Sequence, residues 1–291
     1  MGVKPPSSNF SKLIPYLLLL PTLMYLLFFV GYPIVYAVKL AFTSESGSLT
    51  LSNFRSLTSD MYFWEALKYT FLLAGVIIPL QAALALGVSL LLYRGFKGAN
   101  LCLYVFLIPL TISDVAAALI WYNMLTGSGY LNKVLLKLGL ISQPIHFFGY
   151  AYRSMEAVAI VVTEVWRATA IVFVILFAGL QMIGRDYIEA ADVFGASTWQ
   201  KIRYVILPML KPSFQSAIII RTLFAMQVFA VVWILAGRDI PVLAGEAYYW
   251  QSDVRNPHIA ACYALLVAVI SIALGWMYLK LFKPRYLEEG R

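Results

Sequence analysis

Six stretches of this chain are each long enough and apolar enough to cross a lipid bilayer, which limits the possible folds more than any other feature. They cover about 13–42, 67–93, 101–125, 157–183, 213–236 and 259–282. A helix rising about 1.5 Å per residue needs about 20 residues to cross roughly 30 Å of hydrocarbon. Barrel strands would alternate apolar and polar residues. These stretches do not, so each predicts a helix. A helix also satisfies its own backbone donors and acceptors, as lipid demands. Composition agrees: 62% of the residues are hydrophobic and 12% charged, against about 25% charged in a soluble domain. One soluble core could not hide that much apolar surface. The expected fold is all-α: a polytopic membrane helical bundle of about six transmembrane helices, read as a single domain over 1–291. The first stretch is too long for a signal-peptide core and no small-residue cleavage site follows it, so it predicts a retained span. Pro15, Pro21, Pro33, Pro79 and Pro109 lie in or at the ends of spans, where kinks are expected.

The net charge of +8 fits Lys and Arg kept on one side of a membrane. Nucleic acid is not the expected partner, because no basic stripe with interleaved aromatics matches a known reader. With the N-terminus inside, Lys4, Lys12, Arg94, Lys97, Arg185, Lys201, Arg203, Lys211, Lys280, Lys283, Arg285 and Arg291 share the inner side. Arg55, Lys68, Lys133, Lys137, Arg153, Arg238 and Arg255 then lie outside. This bias favours both termini being cytoplasmic. Cys102, Cys262, His146 and His258 are too scattered for a disulfide framework or metal set, so no metal site is expected. Between the third and fourth runs, Leu131, Val134, Leu135 and Leu138 share one helical face. That pattern fits a helix lying flat at the outer interface or one packed on the span tops. Most Tyr and Trp residues, including Trp121, Tyr122 and Trp250, read as interfacial belt or packing residues.

The longest inner connection, about 184–212, is rich in helix formers. Asp186 is placed to cap a short helix with Glu189 in its first turn. Gly195 permits a tight turn. A second short helix, about Ser197 to Val205, should stop near Pro208. Two short helices hinged at a glycine are not needed to cross a membrane. They predict a docking handle on the cytoplasmic face.

This segment resembles the EAA loop of permease subunits in binding-protein-dependent ABC importers. The family pattern is Glu-Ala-Ala, three residues, Gly, nine residues, Ile, one residue, Leu-Pro. Here it reads Glu189, Ala190, Ala191, Gly195, Val205, Leu207 and Pro208, with Val205 in place of Ile. Phe194 stands where the branch usually has Asp. The flanks Glu164-Val165-Trp166-Arg167, Ala178-Gly179-Leu180-Gln181 and Arg221-Thr222 are similar to the sugar-permease branch, of the maltose/trehalose-type first subunit. The resemblance implies that Glu189, Ala190, Ala191, Gly195, Leu207 and Pro208 couple to an ATPase on another chain. Two such ATPase subunits would bind ATP and Mg, leaving this chain without a cofactor. It further implies a second, different permease chain and an extracytoplasmic binding protein that delivers a sugar. The location implied is a prokaryotic inner membrane. Counting without gaps from Glu189 places Glu164, Arg167, Ala168, Ile171, Arg221, Phe224, Ala225 and Val228 at the family's substrate-path positions.

Glu164 and Arg167, three residues apart on one helical face, lie within the fourth run. Arg221 lies in the fifth and Asp114 in the third. Such residues face a partner or a wet cavity. Glu164 with Arg167 reads either as a packing ion pair or as lining for a sugar, which takes planar hydrogen-bonding groups and an apolar ring face. Arg221 has no carboxylate a turn away and needs another span, water or substrate. No phosphate-binding Gly-x-x-x-x-Gly-Lys-Ser/Thr loop, zinc-binding His pair or Gly-x-Ser-x-Gly elbow is present, so no catalytic residue is expected. The rivals are a secondary transporter driven by an ion gradient, which would show repeats and broken helices, and a membrane-embedded enzyme, which would need a catalytic cluster.

Overall fold

Long runs of Leu, Ala, Val and Ile propagate as helices, and fourteen α-helices appear among residues 9–281, which the computed structural model describes. Lys4, Lys283, Arg285, Arg291 and Phe282 lie outside that range, as do both chain ends. The helices are α1 (Asn9–Leu26), α2 (Tyr32–Ala41), α3 (Ser52–Ser59), α4 (Phe63–Tyr93), α5 (Ala99–Leu107), α6 (Asp114–Leu125) and α7 (Tyr130–Lys137). They continue with α8 (Arg153–Gln181), α9 (Arg185–Val193), α10 (Thr198–Lys201), α11 (Leu207–Met226), α12 (Ala230–Ala236), α13 (Leu243–Ser252) and α14 (Pro257–Leu281). No strand occurs among the described residues.

The centre is the pair α4 and α8, with α11 packed against both. On α4 the buried residues Phe63, Ala66, Thr70, Leu73, Ile77, Gln81, Ala85, Ser89 and Leu92 recur at intervals of three and four. That is one face of a helix. Small residues on such a seam let backbones approach. The closest approach involves Gly179 of α8: a Cβ there would lie 2.2 Å from Ser213 Oγ of α11. The first span, Leu13–Ala41, has none of its apolar window buried within the chain. It meets the bundle near its end, where Asn53 Nδ2 donates to Ala41 O at 3.0 Å and His258 Nδ1 pairs with Leu40 O at 2.9 Å.

Two of the expected spans are broken. Four helices qualify singly as spans, and six if two bent pairs are each counted as one. The third run bends by 102° between Thr111 and Asp114. Pro109 lies in a 3-10 turn, Ile108–Thr111, and Ser113 caps α6 by accepting from Ala116 N at 3.2 Å. A proline that lacks a donor and an N-cap four residues later make a break in the helix ladder. The fifth run bends by 47° at Gln227–Phe229, with no proline or glycine to announce it. Kinks do not follow every proline. Pro79 sits inside an unbroken α4, and Pro15 and Pro21 inside α1, while a π turn at Leu27–Gly31 precedes Pro33.

α7 is packed rather than free at the interface. Its Leu131 lies against the core, and buried Asn132 donates to Thr126 O and Ile145 O at 3.0 and 2.9 Å.

Candidate substrate path and coupling loop

Where α4, α6, α8 and α11 meet, their polar side chains form a continuous chain of contacts. Glu164, fully buried on α8, takes Arg221 Nη2 of α11 on Oε2 at 2.7 Å and Arg167 Nη2 on Oε1 at 3.0 Å. Arg167 Nη1 reaches Asp114 Oδ1, in the first turn of α6, at 2.8 Å. Arg221 Nε also donates to Gln81 Oε1, and Gln81 Nε2 donates to Glu164 O at 2.8 Å. Two guanidiniums thus meet two carboxylates, with a buried amide closing the circuit. A lone arginine at mid-membrane costs at least about 2.5 kcal/mol on insertion scales. Here each is paired.

Arg221 was expected to need another span, water or substrate, and the structure supplies the span: the residue is only 2% exposed, and its partner lies on α8. A partner chain can only add to that burial. Ala168, Ala225 and Val228 are also buried, and Ile171 is half-buried. Phe224 is the exposed member of the set, at 56%. Arg167 is 15% exposed at its side chain and Asp114 55%, and Arg167 Nε is buried without an acceptor. Gln81, which no sequence pattern singles out, is as central as the charges.

The loop after α8 holds the second group. Gly195 has φ +73°, a left-handed conformation that L side chains adopt at a cost. It ends α9 as Ala196 N donates to Ala191 O at 2.9 Å. Ser197 and Gln200 then form a reciprocal capping box, which nucleates the next helix. The second helix does not stop near Pro208 as expected. A π turn, Ile202–Ile206, leads directly into α11, with Pro208 in its first turn, where a missing donor is tolerated. Nor does Asp186 cap α9. The cap position is Gly184, and Asp186 lies within the first turn and Glu189 in the second. Glu189, Ala190, Gly195 and Pro208 are exposed, and Ala191 and Leu207 partly so. Val193 and Phe194 are 86% and 90% exposed. Two bare apolar side chains thus flank the Glu-Ala-Ala segment.

A third cluster lies at the opposite end of the bundle. Arg238 makes a two-pronged pair with buried Glu246, at 3.0 and 2.7 Å. Its guanidinium lies between the rings of Tyr62 and Tyr249, at 3.9 and 3.6 Å from their centroids. Burial pushes the Glu246 carboxyl above its ordinary range, against the pull of Arg238. Burial also opposes the charge on Arg238, but the bonds to Glu246 outweigh it and its pKa rises. Asp60 accepts from Trp250 Nε1 at 3.1 Å and Tyr263 OH at 2.7 Å. Trp250 is therefore a hydrogen-bonded anchor as well as an interfacial ring.

The bent, charge-stitched bundle with its protruding loop defines an all-α polytopic membrane transport subunit. The family model for the "Binding-protein-dependent transport system inner membrane component" matches residues 82–286. The chain belongs to that family, as an ABC importer permease subunit rather than a secondary transporter. It is 32% identical to the trehalose transport system permease protein SugA of Mycobacterium tuberculosis, over 92% of this chain and 88% of that one. It is 29% identical to the trehalose/maltose transport system permease protein MalF of Thermococcus litoralis, over 93% and 94%. It shares its fold with a chain of a bacterial alginate ABC transporter solved with an alginate pentasaccharide-bound periplasmic protein. That likeness has a TM-score of 0.82 at 21% identity, over 94% of this chain and 95% of that one.

Proposed function

We propose that this permease carries a sugar, with trehalose and maltose the first candidates, and forms half of the path beside a second, different permease chain. The observation behind this reading is the pairing of exposed Phe224 with charges already neutralised inside the chain. A neutral sugar takes hydrogen bonds at its edge and an apolar surface on its ring face. Phe224 offers the second. Arg167, partly exposed at its side chain, and the exposed Asp114 offer the first. Glu164, Arg221 and Gln81 stand behind them as support, and Ala168, Ile171, Ala225 and Val228 fill the wall. The sugars in the names of the two permease relatives, trehalose and maltose, point the same way.

Glu189, Ala190, Ala191, Gly195, Leu207 and Pro208 are proposed to couple this path to two cytoplasmic ATPase subunits, which bind the ATP and Mg. A binding protein delivers the sugar from outside, and both termini lie in the cytoplasm. This chain itself binds no cofactor and performs no catalysis.

Uptake of radiolabelled trehalose and maltose by cells expressing the complete transporter, with and without this chain, tests the substrate. Failure to take up either refutes it. Cysteines placed at Ser44 and Ser142 should be labelled from outside sealed cells, and one at Ser197 should not. The reverse pattern refutes the orientation.

A further inference from the structure

A cleft of about 220 Å³ opens where the end of α4 meets the coupling loop. Its lining is of two kinds. Leu90, Ile188, Ile202 and Ile206 make an aliphatic floor, while Arg94, Lys201, Tyr93 and Thr198 bring polar groups to it. The span Phe63–Tyr93 ends here, so the cations stand at the end of an apolar helix long enough to cross the bilayer, where headgroups begin. Arg94 is exposed and has no ion pair among the described residues. Lys201 gives one of its donors to Asp192 Oδ1 at 2.5 Å. An ammonium has three, so two remain. Lys97, also exposed, lies three residues further on, in the next turn.

We infer that this cleft holds the headgroup of an anionic phospholipid, with its phosphate between Arg94 and Lys201 and its first chain carbons against Leu90 and Ile202. Basic pockets between membrane helices bind such headgroups, and each nearby cation adds to the attraction. A zwitterionic lipid carries the same phosphate but also an ammonium that Arg94 and Lys97 repel. The bound phosphate would share Lys201 with Asp192, the eighth residue of α9. On the proposed coupling role of that loop, the lipid would tie the docking helix to the membrane surface.

The test uses the complete transporter in detergent, mixed with phosphatidylglycerol or phosphatidylcholine and examined by native mass spectrometry. Phosphatidylglycerol should be retained in preference. Arg94→Gln should weaken its retention about fivefold, and Arg94→Lys should restore most of it. Leu90→Phe, which narrows the floor while leaving both cations, should also weaken it. Equal retention of the two lipids, or no effect of Arg94→Gln, overturns the proposal. So does displacement of phosphatidylglycerol by equimolar glycerol 3-phosphate, which would mark a site for a soluble phosphate. No sugar enters the measurement, so its outcome is independent of the substrate reading.

Discussion

Neutralising Glu164 should damage this protein more than removing either arginine that contacts it. The carboxylate is fully buried and receives both Arg167 and Arg221, at 3.0 and 2.7 Å. Glu164→Gln keeps the shape but leaves three charged groups where there were four. Arg167 retains Asp114, but Arg221 retains only the amide of Gln81. Breaking a buried pair from one side costs about 3–5 kcal/mol. At about 2 °C per kcal/mol for a chain of this length, melting should fall by roughly 6–10 °C. Arg221→Met should cost less, because Arg167 still neutralises Glu164. The double variant Glu164→Gln/Arg221→Met leaves only the balanced pair of Arg167 with Asp114. It should therefore recover at least about 2 kcal/mol relative to the sum of the single losses. Melting of the assembled transporter, followed in detergent for the wild type, both single variants and the double, measures this cycle. Additive losses would refute the coupling, and so would a Glu164→Gln variant that melts within about 2 °C of wild type.

Three further expectations follow. Gly195→Ala meets open space, with nothing within 4 Å of a Cβ, but must hold φ at +73°. It should cost about 1–2 kcal/mol in the loop and slow uptake, with Gly195→Asn, at home in that conformation, slowing it less. Gly179→Ala drives a Cβ to 2.2 Å from Ser213 Oγ. It should cost about 1–3 kcal/mol and lower the level of assembled complex, with partial recovery on Ser213→Gly; unchanged assembly would show that α8 and α11 separate freely. Phe224→Ala should leave assembly intact and alter the preference between trehalose and maltose in competition uptake, whereas unchanged preference would remove Phe224 from the path.

The helical runs were legible because hydrocarbon thickness imposes a length and apolarity that little else in a sequence imitates. The Glu-Ala-Ala loop was legible because its residues are close together in the chain. The elbow at Pro109 was half visible: a kink was expected there, but not a break of 102°. The break at Gln227–Phe229 left no mark: no proline or glycine stands there, and the ring of Tyr248, 4.8 Å from that of Phe229, is reached only in the folded chain. The same limit hid Gln81. Its partners, Glu164 and Arg221, are 83 and 140 residues away, and an amide inside an apolar helix carries no sign of what it will meet. Arg221 was seen to need another span, but which span is a property of three-dimensional packing.

Thr198 to Met226 forms one helical rod, through the π turn and past Pro208. At about 1.5 Å per residue, Arg221 stands about 35 Å along it from Thr198. Such a rod acts as a lever with its short end at the docking loop and its long end among the buried charges. Each degree of tilt about Thr198 moves Arg221 by about 0.6 Å, from that length. A tilt of about 5° therefore carries it about 3 Å, more than the 2.7 Å that joins it to Glu164. Either α8 swings with the rod, or the ion pair is the link that gives way.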